Sequence, residues 1–116
     1  MTAPLLERTR TVCESQGLPF QTGLYTKTPA PKSYVVATPL VDTFDVFADN
    51  TPGVEVEEVR LSLFTKTNYL QARTQLTTAL LAADLTVTGR RYVGFEDDTG
   101  YHHYAIDVAK DYELED

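Results

Sequence analysis

The sequence predicts a single α+β domain, in which two helices pack on a mainly antiparallel sheet of four to five strands that a β-hairpin closes. Three observations carry this reading. Two segments repeat apolar residues at intervals of three and four. The stretch around Val59 to Leu63 alternates apolar with polar. Two further alternating runs flank the acidic turn Glu96-Asp97-Asp98-Thr99-Gly100.

In chain order, Ala3 to Gln16 reads as the first helix: Leu5, Leu6, Thr9, Val12 and Cys13 fall at helical spacing, and Gly17 supplies the stop. A short strand fits between Leu18 and Tyr25. Thr28-Pro29-Ala30-Pro31 then favours an extended, poorly paired linker. Ser33 to Asp42 reads as a strand with apolar residues on both faces, expected to be covered on both sides by a helix or by another subunit. Pro39 places it at an edge or calls for a bulge.

Thr43 to Gly53 reads as a loop, since Asp42, Asp45, Asp49, Asn50 and Thr51-Pro52-Gly53 are turn formers. Its phenylalanines, Phe44 and Phe47, have two readings: they fold back onto the core, or they anchor a partner chain. Val54 to Thr65 is the clearest strand, with Val59, Leu61 and Leu63 on a buried face and Glu58, Arg60 and Ser62 on a wet one. Val54 and Val56 have the opposite parity, which predicts a bulge or break near Glu57. Thr67 or Asn68 caps a second helix to about Ala83, with Tyr69, Ala72, Leu76, Leu80 and Ala83 as its apolar stripe. Leu85 to Phe95 and Tyr101 to Ala109 form the closing hairpin. Leu85, Val87, Val93 and Phe95 share parity on one arm, and His102, Tyr104, Ile106 and Val108 on the other.

The 116 residues fit one core, so residues 1–116 are expected to be one domain. Apolar residues at 42% and charged residues at 23% are ordinary for a globular fold. The single cysteine, Cys13, rules out an internal disulfide and a multi-thiolate zinc site, and its apolar neighbours predict a buried structural thiol. Acidic residues outnumber basic ones by 17 to 10, a formal charge of −7 that repels phosphate backbones and disfavours nucleic-acid binding. Part of that excess lies in a solvated terminus holding Asp111, Glu113, Glu115 and Asp116. No apolar run reaches the length of a membrane span, and the first residues lack a secretory pattern, so the cytoplasm is the expected site of synthesis and use.

Candidate chemistry is sparse. His102 and His103 are adjacent in a strand and point to opposite faces, so they cannot grip one ion together. One of them with Glu96 or Asp98 across the hairpin fixes no ligand set. Three consecutive carboxylates in a turn read as a solvated tip rather than a catalytic pair, because such pairs need burial to separate their pKa values. Arg90-Arg91 is too small for a nucleic-acid face, and its expected use is pairing with acidic groups nearby or on a partner. No catalytic residue, cofactor or metal ligand is assigned.

Three strings resemble a known family. SYVVATPLVDTFDVFADNTPGVEVEE (residues 33–58), EVRLSLFTKTNY (58–69) and, most strongly, TGRRYVGFEDDTGYHHYAIDVAKDYE (88–113) are similar, in this order, to small proteins of phages and prophages of Gram-positive bacteria. These sit among the tail genes of long-tailed phages and are similar to tail-completion, or tail-terminator, proteins. The resemblance spans roughly Leu18 to Glu113. It implies a non-enzymatic head–tail joining component that closes the tail tube and meets a head-completion or connector protein. It also implies self-assembly into a ring, commonly hexameric, through which DNA passes without specific binding. The expected location is the host cytoplasm during assembly and then the virion. Phe44, Asp45, Phe47, Asp49, Glu96, Asp97 and Asp98 are the candidate interface or lumen residues, the carboxylates lining a channel that repels DNA. A head-completion or stopper protein, and a small protein-binding module of prophage origin, are the alternatives.

Overall fold

The computed structural model describes residues 4–26, 28–46 and 52–113. The elements are α1 (Leu5–Ser15), β1 (Phe20–Thr22), β2 (Ser33–Val46), β3 (Pro52–Thr65), α2 (Tyr69–Ala82), β4 (Thr86–Phe95) and β5 (His102–Glu113). The strands form one sheet in the order β1-β2-β3-β5-β4, antiparallel throughout except for the β1–β2 pair. This is the α+β fold that the sequence predicts.

Both helices lie on one face. α1 turns Leu5, Thr9, Val12 and Cys13 inward, and Gly17 ends it at a positive φ of 74° that other residues resist. The N-terminal turn of α1 draws on a distant partner, because Leu5 N–H donates to Glu57 Oε1 of β3 at 3.2 Å. α2 is capped locally, with Asn68 Oδ1 accepting from Gln71 N–H at 3.1 Å. Leu76 and Leu80 of α2 are buried against the sheet. They meet Val35 and Ala37 of β2, Val59, Leu61 and Leu63 of β3, and Tyr104, Ile106 and Val108 of β5 in a continuous core. Thr65 Oγ1, wholly buried at the end of β3, is satisfied by the hydroxyls of Ser33 and Thr67.

The molecule measures 54 × 24 × 23 Å, with a radius of gyration of 15.6 Å. A compact domain of this length would have a radius of gyration of about 13 Å. The elongation follows from element lengths. β2 and β3 have 14 residues each, about 48 Å at strand rise, whereas α1 has 11 and spans only about 16 Å. The far parts of β2, β3 and β5 therefore extend past the helices as a three-stranded arm.

That arm corrects the expected loop. Thr43 to Val46 belong to β2 and Pro52 to Gly53 to β3, paired as Thr43↔Val56, Phe44↔Glu55 and Asp45↔Val54. The turn formers of this stretch alternate with Thr43, Phe44 and Val46, which favour strands, and the ladder supplied by β3 overrides the local preference. The expected irregularity near Glu57 is present in the β2–β3 ladder, but the extra residue belongs to β2. β3 pairs with β5 without interruption from Val54↔Glu113 to Thr65↔His102, whereas its ladder with β2 shifts at Leu40, between Pro39↔Val59 and Val41↔Glu58, and again at Gly53, between Asp45↔Val54 and Val46↔Pro52.

Two further bulges break β4, at Thr88 and Val93. They overturn the expected shared parity for Val93 alone: Val87 and Phe95 stay on one face, opposite Val108 and His102, whereas Tyr92 takes the position opposite Tyr104 and Val93 is left 48% exposed.

Candidate functional site

The predicted site residues do not converge. Glu96, Asp97 and Asp98 are exposed in the turn between β4 and β5. The turn is ordered by its own hydrogen bonds: Gly100 N–H donates to Glu96 O at 2.7 Å, Glu96 N–H to Tyr101 O at 2.8 Å, and Thr99 Oγ1 to Glu96 Oε1 at 2.8 Å. Gly100 closes it at φ 83°. Phe44 and Asp45 lie in β2 within the arm, and Phe47 and Asp49 fall outside the described residues. Because Thr65 pairs with His102 near the turn while Val54 pairs with Glu113 in the arm, the two acidic regions stand at opposite ends of the sheet. The separation is about 37 Å along the strands. One channel lining cannot draw both groups to the same level.

The helix-free face of the sheet carries a feature that the sequence alone did not disclose. Tyr34 of β2, Phe64 of β3 and His103 of β5 occupy directly paired positions and form a row across three strands. The Tyr34 and Phe64 rings stack at 5.0 Å, and Phe64 and His103 at 4.3 Å. Tyr25 adds to the row at 4.4 Å from Tyr34, and Tyr101 meets Tyr34 edge-on at 5.3 Å. Tyr101 also donates its hydroxyl to Pro31 O, tying the proline-rich linker to the hairpin end. Beside the row lies an open groove of about 260 Å³ walled by Leu24, Tyr25, Tyr34, Val36 and Phe64. Leu24 is 71% exposed at its rim.

Electrostatics follow from this packing. Burial lowers the His103 pKa, and Arg60 and Arg91 lower it further against the opposing pull of Glu96. Its Nε2 is a buried atom without a hydrogen-bond partner among the described residues. Burial raises the Tyr34 and Tyr101 phenols, with neighbouring Tyr25 and Glu96 adding to the shift. Further along the same face Arg60 grips Asp107 with two hydrogen bonds, at 2.8 and 3.1 Å, across directly paired positions.

His102 points to the other face, as strand alternation requires, and its Nδ1 lies 3.0 Å from the Tyr92 hydroxyl beside Tyr69. Arg73 of α2 sits over the Tyr104 ring at 5.6 Å. A second surface groove, about 400 Å³, runs between α1 and β1 past Arg10, Glu14, Phe20 and Gln21. Among the described residues, no three His, Cys, Asp or Glu side chains converge to hold a metal ion, and no helix is long and apolar enough to cross a membrane. The arrangement presents an aromatic contact face and a projecting arm.

The alternation of Tyr34 with Val35, and of Phe64 with Leu63, signals aromatic residues on the face opposite the core. Their assembly into a row requires the register of three strands, which no local spacing encodes. No family model matches the chain, and no curated protein shows significant similarity to it.

Proposed function

We propose that this protein is a non-enzymatic structural component of a phage or prophage tail, a tail-completion or tail-terminator protein joining the tail tube to the head connector. The observation that carries the reading is the sheet's second face, which among the described residues no helix covers and which holds the Tyr34–Phe64–His103 row beside an arm projecting past the core. Such a surface suits protein–protein contact, where aromatic residues concentrate binding energy. The resemblance of residues 33–58, 58–69 and 88–113 to tail-completion proteins supplies the particular assembly, and with it a virion location. The formal charge of −7 suits a ring that lets DNA pass without holding it, with the exposed Glu96–Asp98 turn as one candidate for its bore.

The test mixes the purified chain with tail-tube protein from the same phage and follows mass in solution and tube ends by electron microscopy. Capping of tube ends, and loss of joined virions when the gene is deleted, are the expected results. A chain that ignores the tube, together with normal virions in its absence, ends the proposal. Binding to the head connector alone would move the protein to the head-completion step. Neutralising Glu96, Asp97 and Asp98 together is expected to slow DNA ejection; unchanged ejection and infectivity remove that turn from the bore.

A further inference from the structure

The sheet ends in two edges, and the strands that form them carry opposite charge. On one side β1 covers β2 only from Val35 to Ala37. Val35 donates its N–H to Pro19 O, and Ala37 O accepts from Gly23 N–H, so these residues turn their backbone polar groups away from β3. β3 bonds β2 and β5 alternately, so past the Leu40 bulge Val41, Thr43 and Asp45 face Glu58, Val56 and Val54. Asp42, Phe44 and Val46 consequently direct N–H and C=O outward, and among the described residues no strand pairs with them.

On the other side β4 pairs with β5 alone. The bulges at Thr88 and Val93 blunt this edge against indiscriminate pairing, yet Gly89 to Tyr92 stays regular, with Arg90 and Tyr92 in the outward positions. Tyr92, Val93 and Phe95 are 42%, 48% and 50% exposed along the same strand.

The charges are complementary. The arm segments of β2 and β3 hold Asp42, Asp45, Glu55, Glu57 and Glu58 and no basic residue, whereas β4 holds Arg90 and Arg91 and no acidic one. Both arginines are exposed, and among the described residues the salt bridges join other groups.

We propose that the arm edge of β2 in one copy of this chain pairs, antiparallel, with β4 of a second copy. The inference deepens the assembly reading above and rests on it in taking a second copy as the partner. The contact is head-to-tail, because each copy has one edge of each kind, so successive contacts close into a ring when the rotation allows. The direction follows as well. Within the chain β4 runs antiparallel to β2. Tyr92 stands level with Val35 of β2, whereas Phe44 stands level with Tyr112 of β5, about 27 Å further along the strands. The contact therefore slides each copy along its neighbour, and a ring closes about an axis inclined to the strands. A moderate inclination keeps β4 antiparallel to the next β2, the better hydrogen-bonded arrangement.

The test uses the full chain in sedimentation experiments over a concentration series, alone or as variants. R90E/R91E and D42K/D45K should each weaken self-association about tenfold or more. Their equimolar mixture should restore species larger than a dimer, because each altered edge then meets its complement. That rescue shows that neither variant has merely misfolded. In parallel, oxidation of a Phe44→Cys, Tyr92→Cys double variant should give a ladder of linked species, and each single variant none. Three results overturn the contact: linkage of Phe44→Cys alone, which would mean twofold arm-to-arm pairing; assemblies unchanged by both charge variants; or a chain that stays monomeric and unlinked at the highest attainable concentration. A chain of this last kind that still caps tube ends removes this contact and leaves the tail-completion proposal standing. One that assembles through these edges but ignores the tube does the reverse.

Discussion

Cys13 reports whether α1 lies on the sheet as described. Its side chain is 0% exposed, in the core shared by α1, α2 and the sheet. Burial, and secondarily the charge of Glu14, push the thiol up from 9.0 to about 12. At pH 8 an ordinary thiol of this reference value is about one-tenth ionised, whereas the native thiol is ionised to about one part in ten thousand. Ionisation alone therefore slows thiolate chemistry about a thousandfold, and steric exclusion slows it more. The assay is reaction with an aromatic disulfide reagent at pH 8, in buffer and in urea. Native labelling should be at least about a thousandfold slower than unfolded labelling and should follow the opening of the structure. A native rate within about tenfold of the unfolded one would place Cys13 at the surface and refute the packing of α1.

The same shift couples stability to pH. Because the folded pKa is raised, the contribution is fully present below about 9, where the unfolded thiol keeps its proton, and is lost as pH rises toward about 12. The loss approaches about 1.4 kcal/mol per pH unit in that window. Comparing denaturation profiles with Cys13→Ala isolates it.

Three further outcomes are expected. Leu61→Ala removes a wholly buried side chain from the middle of β3 and should cost about 2–5 kcal/mol, read as a lower urea midpoint at constant slope. Asn68→Ala removes the acceptor for Gln71 N–H and should cost about 1 kcal/mol, seen as a lower thermal midpoint by circular dichroism, with Asn68→Asp restoring most of it. The His103 ring should titrate below 6.5 by NMR, so its contribution to stability is present above that value and lost as pH falls through the folded pKa. Titration at or above 6.5 would contradict its burial against Phe64.

Much of the fold was legible because its signals are local. The spacing of Leu5, Thr9, Val12 and Cys13 and of Leu76 and Leu80 repeats with the helix turn, Gly17 stops α1, and Asn68 caps α2 through its own third neighbour. The alternation of Val59, Leu61 and Leu63 identified the buried face of β3. The candidate site was much less legible. Asp42 and Asp45 signalled a turn, because isolated Asp disfavours strands, and only pairing with β3 keeps them extended. The β4 bulges were hidden because a one-residue slip leaves composition unchanged while moving Val93 out of the ladder and setting Tyr92 opposite Tyr104.

The sequence by itself determined the two helices, the strand identities, the closing hairpin, the burial of Cys13 and the opposed directions of His102 and His103. Each depends on neighbours within a turn or two of chain, where periodicity and capping act. Only the tertiary structure decided that both helices share one face, that Tyr34, Phe64 and His103 form a row, that the acidic regions stand at opposite ends, and that the free edges differ in charge. These depend on register between strands far apart in the chain, set by the total burial and hydrogen bonding of the sheet, and no local window contains that sum.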